Sequence, residues 1–323
     1  MDRKTFIRTL AGGIVGLATG GGFFNTVSAR GFRRITILNT NDTHGHIEPF
    51  PPYAGKYAGL GGVARRKTLI DQIRAQNPHT LLLDAGDAFQ GTPFFEEFRG
   101  GLCYHFMSEL GYDAATLGNH DFDDGVDGWV SDARRANFPF VSSNYQISNA
   151  AMRKRVQRYL VKDVDGIRIG VFGLGIAFKG LVTPQNHKGV TYEDPVPVAR
   201  ETIRILRENE RCDFVICLSH LGFKYPDDRI SDMRLARRVT GIDLIIGGHT
   251  HTFLQSPVPV QTTPKWRTLV TQVGFGGIVL GRIDFYFDQK KKQPDYLAMN
   301  TIVGPGNRDD EKIEKYGNGV SKS

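Results

Sequence analysis

The sequence has few cysteines: Cys103, Cys212 and Cys217 are the only three in 323 residues. Three cysteines cannot build a disulfide framework, so the stability of the fold must come from a hydrophobic core. Cys212 and Cys217 flank a predicted strand at an odd separation, which predicts that their side chains point to opposite faces and do not pair. We predict that all three cysteines are small buried hydrophobic residues.

The chain also lacks a stripe of Lys and Arg interleaved with aromatic residues, although its formal net charge is +7. The positive balance favours anionic ligands in general and does not indicate a nucleic acid polymer as partner. A long uninterrupted apolar run is absent as well, because glycines divide the most apolar segment, residues 11–27. We therefore expect no stable membrane span.

The N-terminus instead has the layout of an export signal. A short basic segment, MDRKTFIRTL, precedes the small and apolar stretch, and VSA offers a cleavage site after Ala29. Residues 1–29 are therefore predicted to be removed, which places the mature chain in the periplasm or outside the cell. Lys4 stands where a twin-arginine signal has its second arginine, so a Tat-like and a Sec route both stay open. The alternative is an anchoring N-terminal helix.

The remaining chain alternates short apolar runs with stretches of helical periodicity, which predicts a mostly parallel sheet with crossover helices. Asp165-Gly166 between two apolar runs predicts a tight hairpin. Residues 268–288 read as consecutive antiparallel strands. The polar residues 307–323 predict either one short helix or a frayed tail.

Polar residues follow five of the predicted strands directly. Ligands of open α/β sheets bind outside the carboxyl ends of the strands, so these residues should converge in space. In extended chain, the D-x-H and H-x-H spacings would send both side chains to the same side. The residues concerned are Asp42, His44, Asp87, Asn119, His120, His220, His249 and His251.

The types of these side chains predict a metal site. Aspartate, histidine and one asparagine, without cysteine, suit divalent ions such as Zn, Mn or Fe. Seven candidate ligands exceed the need of one tetrahedral site, so we expect two divalent metal ions, with Asp87 as the bridging carboxylate. Such a pair lowers the pKa of a bound water towards about 7 and clamps the attacking and leaving oxygens. Hydrolysis of a phosphate ester is the reaction that it suits.

These motifs resemble those of the calcineurin-like metallophosphoesterases. NTNDTHGH, LLLDAGDAFQGTP, TLGNHDFD and TQVGFGGIVLGRIDF are similar, more closely, to the catalytic N-terminal domain of the 5′-nucleotidase family, over residues 34–288. The resemblance implies an α/β fold with two packed mixed β-sheets flanked by helices, as a single catalytic domain. We assign residues 30–305 to this domain and residues 306–323 to a polar C-terminal tail.

The resemblance also implies roles for individual residues. His251 stands where many members of the family have glutamine. One metal would be held by Asp42, His44, Asp87 and His251. The other would be held by Asp87, Asn119, His220 and His249.

His120 would stay free of metal and act on the substrate, stabilising the phosphoryl transition state and protonating the leaving oxygen. In the nucleotidases its carboxylate partner lies three residues further on, at Asp123; in other phosphoesterases the partner takes the place of Asp121. We predict Asp123. Asp84 and His46 are candidates for residues that orient the metal ligands. For His46, a polar loop residue without a role at the site is the simpler interpretation.

We therefore expect an exported dinuclear phosphoesterase that hydrolyses nucleotides by attack of a metal-bound hydroxide. The alternatives are a cyclic-nucleotide phosphodiesterase or nucleotide-sugar pyrophosphatase on the same site, and a non-catalytic exported metal-binding protein. The resemblance implies a second domain that binds the nucleoside, and we expect this chain to lack it. A separate chain carrying that domain is therefore the expected partner, and the isolated chain should bind its substrates weakly and broadly.

Overall fold

The computed structural model describes residues 32–288 and 293–320, the latter without the side chains of 316–320. The predicted export signal, residues 1–29, lies outside the described residues. The strands are β1 (Arg33–Thr40), β2 (Thr80–Asp84), β3 (Ala114–Ala115), β4 (Phe140–Val141), β5 (Tyr145–Ile147), β6 (Val156–Gln157), β7 (Tyr159–Val164), β8 (Ile167–Leu174), β9 (Val190–Tyr192), β10 (Phe214–Ser219), β11 (Leu244–Gly247), β12 (Val258–Thr263), β13 (Trp266–Thr271), β14 (Val279–Phe287), β15 (Asp295–Ala298) and β16 (Thr301–Ile302). The α-helices are α1 (Val63–Gln76), α2 (Pro93–Phe98), α3 (Gly101–Leu110), α4 (Gly125–Asp132), α5 (Ala150–Arg153), α6 (Pro195–Arg204), α7 (Asp232–Arg238) and α8 (Glu311–Val320).

Most of these strands form two mixed sheets. The first has the order β15-β14-β1-β2-β3-β4-β6, with β16 beside β14, and the second has the order β12-β13-β11-β10-β8-β7. The centre of each sheet is parallel, as in β1-β2-β3 and in β8-β10-β11, whereas β14 and β12 add antiparallel pairs. The predicted parallel sheet with crossovers is thus two such sheets, which confirms the α/β fold class.

Period-two alternation in the strands produces separate hydrophobic layers. In β10, Phe214 and Ile216 point into the layer between the two sheets, while Val215 and Cys217 point to the helices that cover the second sheet. In β1, Ile37 faces the layer between the sheets and Leu38 faces the helices of the first sheet. The two sheets therefore pack face to face with helices outside, the arrangement expected from the resemblance.

The predicted hairpin at Asp165-Gly166 is confirmed. β7 and β8 pair antiparallel up to Val164 and Ile167, so the loop has two residues. Both loop residues have positive φ, 53° and 69°, as a type I′ turn requires.

The expectation of consecutive antiparallel strands over residues 268–288 is wrong. β13 lies in the second sheet, parallel to β11, and β14 lies in the first sheet, antiparallel to β1. The chain crosses from one sheet to the other between Gln272 and Ile278, so the two strands do not pair with each other. Periodicity along the chain predicts strands but not the sheet to which each belongs.

Cys103, Cys212 and Cys217 are buried and free, as predicted. The prediction that Cys212 and Cys217 face opposite sides is wrong, because both pack between the second sheet and its helices. β10 begins at Phe214, so Cys212 precedes the strand and alternation does not govern its direction.

Residues 311–320 of the predicted tail form a helix. α8 packs Ile313 into the helix layer of the first sheet, and Lys312 Nζ lies 2.5 Å from Glu109 Oε2 on α3. Within residues 32–288 and 293–320, no helix has the length and apolar character to span a bilayer.

Candidate metal centre and active site

The predicted site residues lie in loops that leave the carboxyl ends of five strands. Asp42 and His44 follow β1, Asp87 follows β2, and Asn119 follows β3. The second sheet adds three histidines from the loops after β10 and β11: His220, His249 and His251. Because parallel strands of both sheets end at the same edge of the fold, residues far apart in sequence meet there.

The backbone of these loops is left-handed. Of the nine non-glycine residues with positive φ in the described part of the chain, five are Asp42, His44, Asp87, His249 and His251, with φ between 46° and 70°. Such conformations cost free energy for residues with a Cβ and cluster at functional sites. The expectation that strand alternation sends both side chains of D-x-H and of H-x-H to the same side is therefore wrong. These residues lie beyond the strand ends, where the turns direct their side chains, and His249 and His251 belong to different groups of candidate ligands.

We call Asp42, His44 and His251 the open group. One side-chain ligand atom from each lies within 4.8 Å of the others. His44 Nε2 is 3.0 Å from His251 Nε2, and His251 Nε2 is 3.5 Å from Asp42 Oδ1. Nδ1 of His44 bonds to the carbonyl oxygen of Phe89 at 3.0 Å, which directs Nε2 towards the group. The side chain of His251 is 41% exposed, so this group opens to solvent at His251, while Asp42 and His44 are buried.

We call Asp87, His220 and His249 the buried group, since one ligand atom from each again lies within 4.8 Å of the others. His220 is fully buried, and its Nδ1 lies 2.7 Å from the carbonyl oxygen of Ala85. Its Nε2 lies 3.0 Å from Asp87 Oδ2. Asn119 adjoins this group, with Oδ1 at 2.9 Å from His249 Nδ1.

The two groups touch. Asp42 Oδ1 lies 3.8 Å from His220 Nε2, and both carboxylate oxygens of Asp42 accept the backbone N–H of His249 at 3.0 Å. The seven predicted ligands are thus brought together at one place.

The residues fit divalent ions. Two ligand atoms bound at right angles to one ion, each at about 2.1 Å, lie about 3 Å apart. The pairs His44–His251, Asp87–His220 and Asn119–His249 have separations of 2.9–3.0 Å. Nε2 of His220 is buried and makes no hydrogen bond of acceptable geometry among the described residues, although it faces Asp87. A cation shared by these atoms would satisfy both.

Charge and burial shift the pKa values of the ligands in opposite directions. Burial would raise the pKa of Asp87, but the His220 imidazole beside it holds that pKa well below its usual value. Burial would lower the pKa of His220, but the Asp87 carboxylate raises it to about 10. Burial lowers the pKa of His249 to about 4 and also lowers that of His44. Since metal binds only the deprotonated imidazole, a proton on His220 competes with the ion.

His120 lies beside the ligands, with its ring centroid 5.4 Å from that of His44. Its Nδ1 is 2.8 Å from Asp123 Oδ2, and this hydrogen bond raises the pKa of His120. The backbone N–H of His120 donates to Asp87 Oδ1 at 2.8 Å. The structure thus places Asp123 next to His120, as expected from the nucleotidases.

Asp121 has a different position. Its buried carboxylate accepts the backbone N–H groups of Gly118 at 2.7 Å, Asp87 at 3.1 Å and Ala88 at 3.2 Å. Burial raises the pKa of this group to about 7. Asp121 therefore joins the loops after β2 and β3, so that Asp87 and Asn119 keep their relative positions.

Asp84 and His46 do not join either group. The Asp84 carboxylate accepts the Thr40 hydroxyl at 2.6 Å and the Gly86 N–H at 2.9 Å, which fixes the turn before Asp87. His46 stacks on Phe50 with ring centroids 4.0 Å apart. It is therefore better interpreted as a loop residue without a role at the site.

Sequence reasoning missed two amides that fix the ligand loops. Asn41 Nδ2 donates to Asp42 Oδ2 at 2.6 Å, and Asn41 Oδ1 accepts the Val273 N–H at 2.9 Å. Gln272 Nε2 donates to the carbonyl oxygen of Gly248 at 2.6 Å, while its Oε1 accepts the Thr250 hydroxyl at 3.0 Å. Gln272 belongs to the TQVGFGG motif, and that motif was the sequence signal that could have identified it.

Comparisons with known proteins agree with this arrangement. The calcineurin-like phosphoesterase family matches residues 35–253. Snake venom 5′-nucleotidase of Gloydius brevicauda is 35% identical over 289 residues, which cover 81% of this chain and 47% of that protein. The trifunctional nucleotide phosphoesterase YfkN of Bacillus subtilis is 33% identical over 288 residues, which cover 79% of this chain and 18% of that protein.

Among solved structures, the 5′-nucleotidase precursor of Thermus thermophilus superimposes with a TM-score of 0.81 at 31% identity, covering 90% of this chain and 59% of that one. The chain spans about half the length of the snake venom 5′-nucleotidase that it matches. The family match runs from β1 through Phe253 and so includes every predicted ligand loop. This chain therefore belongs to the calcineurin-like phosphoesterase family.

Proposed function

We propose that this protein is a metal-dependent phosphoesterase that hydrolyses phosphate esters of nucleotides, in the manner of a 5′-nucleotidase. The observation that carries the proposal is the meeting of the open group and the buried group beside His120. The two groups share Asp42 as a neighbour, and Asp87 binds the backbone of His120. Relatives named 5′-nucleotidase support the substrate class.

Two divalent ions fit the site. Asp42, His44 and His251 would hold one of them, and Asp87, Asn119, His220 and His249 would hold the other; the shared role of Asp87 stays part of the proposal. When bound, such ions supply an activated water as nucleophile and positive charge for the phosphoryl oxygens.

His120 acts on the leaving group in this proposal. Its Nδ1 is engaged by Asp123 at 2.8 Å, so Nε2 is the nitrogen left to meet the substrate. Asp123 fixes the tautomer and the ring orientation, and it stabilises the imidazolium form. Protonation of the leaving oxygen by a positioned imidazole contributes about 10²–10⁴-fold to the rate.

The experiment is a panel of phosphoesters assayed with the purified protein after Mn, Zn, Co, Ni or Ca is added back. Release of phosphate from nucleoside monophosphates, dependent on added metal, is the expected result. Cleavage of cyclic nucleotides or nucleotide sugars instead would favour a phosphodiesterase or pyrophosphatase on the same site. The YfkN relative is named a trifunctional nucleotide phosphoesterase, which makes that second candidate worth including. Stoichiometric metal binding without any hydrolysis would mean a metal-binding protein.

Export and a partner chain stay predictions. N-terminal sequencing of the mature protein should find Arg30 first, and replacement of Arg3 and Lys4 should retain the protein in the cytoplasm. Retention of residues 1–29 would mean an anchor instead. A separate chain that carries a nucleotide-binding domain should lower the KM for nucleotides when it is added.

A further inference from the structure

Three aromatic rings form a box beside the open group. Tyr57 and Phe253 lie nearly parallel, with an interplanar angle of 18° and ring centroids 6.3 Å apart. Phe275 stands nearly perpendicular to Tyr57 and steeply inclined to Phe253, with its centroid 5.3 Å from the first and 5.9 Å from the second. We call these three residues the aromatic clamp, with Tyr57 and Phe253 as its walls and Phe275 as its base.

The clamp is continuous with the predicted metal site. Phe275 stacks on His251 of the open group, with ring centroids 5.2 Å apart and an interplanar angle of 23°. One ring therefore separates the walls from a ligand residue. In a nucleotide, one sugar separates the base from the phosphate, so a substrate whose phosphate lies at the ligands can bring its base to the clamp.

The backbone holds the rings in place. Phe253 pairs with Val273 in an isolated antiparallel bridge, and a Cβ on Gly274 would come within 2.1 Å of the Phe253 ring. Gly274 has φ of 79°, so glycine is required there on two grounds. Buried Phe50 contacts Phe275 edge to face at 5.9 Å from behind.

The shape of the clamp favours a flat ring. Two aromatic faces that enclose a third ring stand about 7 Å apart, since carbon atoms in contact are separated by about 3.5 Å. The centroids of the walls are 6.3 Å apart, somewhat less than that spacing. We therefore expect the side chain of Phe253, which is 42% exposed, to turn outward when a ring binds.

The charge of the clamp favours a neutral ligand. Aromatic boxes also bind quaternary ammonium groups, which are drawn to the negative faces of the rings. Here the ammonium of Lys56 already lies 5.0 Å from the centroid of Tyr57. A second cation in the box would be repelled by it, whereas a neutral base would not.

We propose that Tyr57, Phe253 and Phe275 bind the nucleobase of the substrate by stacking, as a leaving-group subsite within this domain. The effect of the subsite on hydrolysis rests on the proposed function. Binding of a base at the clamp does not. Stacking is tolerant of base identity, because every base has an aromatic face. The subsite should therefore separate esters with a base from esters without one, and discriminate little among the bases.

The test uses the full chain and two matched pairs of ligands. Hydrolysis is compared for AMP and ribose 5-phosphate, which differ only in the base. Binding of adenosine and of ribose, which have no phosphate, is measured by calorimetry. The variants are Phe253→Leu, which keeps an apolar side chain without a flat face, and Phe253→Tyr, which restores the face. The control is Tyr53→Leu, which changes a 90% exposed aromatic residue of the loop that carries Tyr57, outside the clamp.

We expect Phe253→Leu to reduce the ratio of kcat/KM for AMP over ribose 5-phosphate by about 10-fold, and adenosine affinity by a similar factor. Phe253→Tyr should restore both, and Tyr53→Leu should change neither. An adenosine affinity that is unaffected by Phe253→Leu overturns the inference. A preference for choline phosphate over ribose 5-phosphate that depends on Phe253 overturns it in favour of a cation box. If neither ester is hydrolysed, the proposed function fails, and adenosine binding alone decides the subsite.

Discussion

The open group and the buried group use the same residue types in different surroundings. His220 of the buried group is fully inaccessible, whereas the His251 side chain of the open group is 41% exposed. Backbone contacts fix residues of both groups: Ala85 orients His220, Asp121 holds the N–H of Asp87, and Phe89 orients His44. His251 is fixed by a stacked ring, Phe275.

This difference separates two tasks. A buried ligand set with engaged second nitrogens is preorganised and holds its geometry without help from a substrate. An exposed ligand beside an aromatic surface can meet the substrate and respond to it. We infer that His220 keeps its position without a substrate, whereas His251 can adjust when one binds.

The strongest test of the comparison is Asp87→Asn, which removes the carboxylate of the buried group that is proposed to bridge the two ions. We expect loss of bound metal and a fall of activity to near background, more than about 100-fold, because the ligand itself is lost rather than its support. Metal analysis and phosphate release measure the two effects. Two tightly held ions in this variant would contradict the bridging assignment of Asp87.

His120→Ala should separate chemistry from metal binding. Both ions should stay bound while the hydrolysis rate falls by about 100-fold or more, since His120 lies outside both groups. The loss should be smaller for p-nitrophenyl phosphate than for AMP, because a good leaving group needs less protonation. Equal losses for the two substrates would argue against His120 as general acid.

The matched substitutions His220→Gln and His251→Gln compare the two groups directly. At the open position, glutamine can offer its oxygen from a side chain that has room to adjust, so metal affinity should fall by only about 10-fold. At the buried position, glutamine cannot reproduce the contact to Ala85, and the loss should reach about 100-fold. Isothermal titration with Mn or Zn measures both. Equal losses would remove the distinction between the groups.

The smallest effects should come from the two neighbouring carboxylates. Asp123→Asn should lower the rate by about 10-fold with unchanged thermal stability, because it disturbs only the orientation of His120. Asp121→Asn places an NH₂ group among three backbone N–H donors and should destabilise the protein by about 1–3 kcal/mol. Thermal unfolding and kinetics distinguish the two outcomes. If Asp121→Asn reproduces the kinetic pattern of His120→Ala at an unchanged Tm, the assignment of Asp123 is wrong.

Sequence reasoning identified the residues that meet at the candidate site, because their chemistry and their position after strands are local properties. It could not predict how the ligand loops turn. The D-x-H spacing predicted alternation, yet Asp42 and His44 both adopt positive φ beyond the end of β1. It also could not choose between Asp121 and Asp123 without the resemblance, because both follow His120 within one turn, and only packing shows which carboxylate is buried against backbone donors.

The sequence by itself determined which residue types are available and roughly where each strand ends. Local periodicity and side-chain chemistry predict these features because they depend on neighbours along the chain. Without the family resemblance, the residues do not indicate that His251 joins Asp42 and His44 while His249, two positions earlier, joins Asp87 and His220; the tertiary structure places them so. It also brought Tyr57, Phe253 and Phe275 into one clamp. Such pairings depend on sheet order and loop geometry. Packing across the whole core determines both, so no short stretch of sequence contains that information.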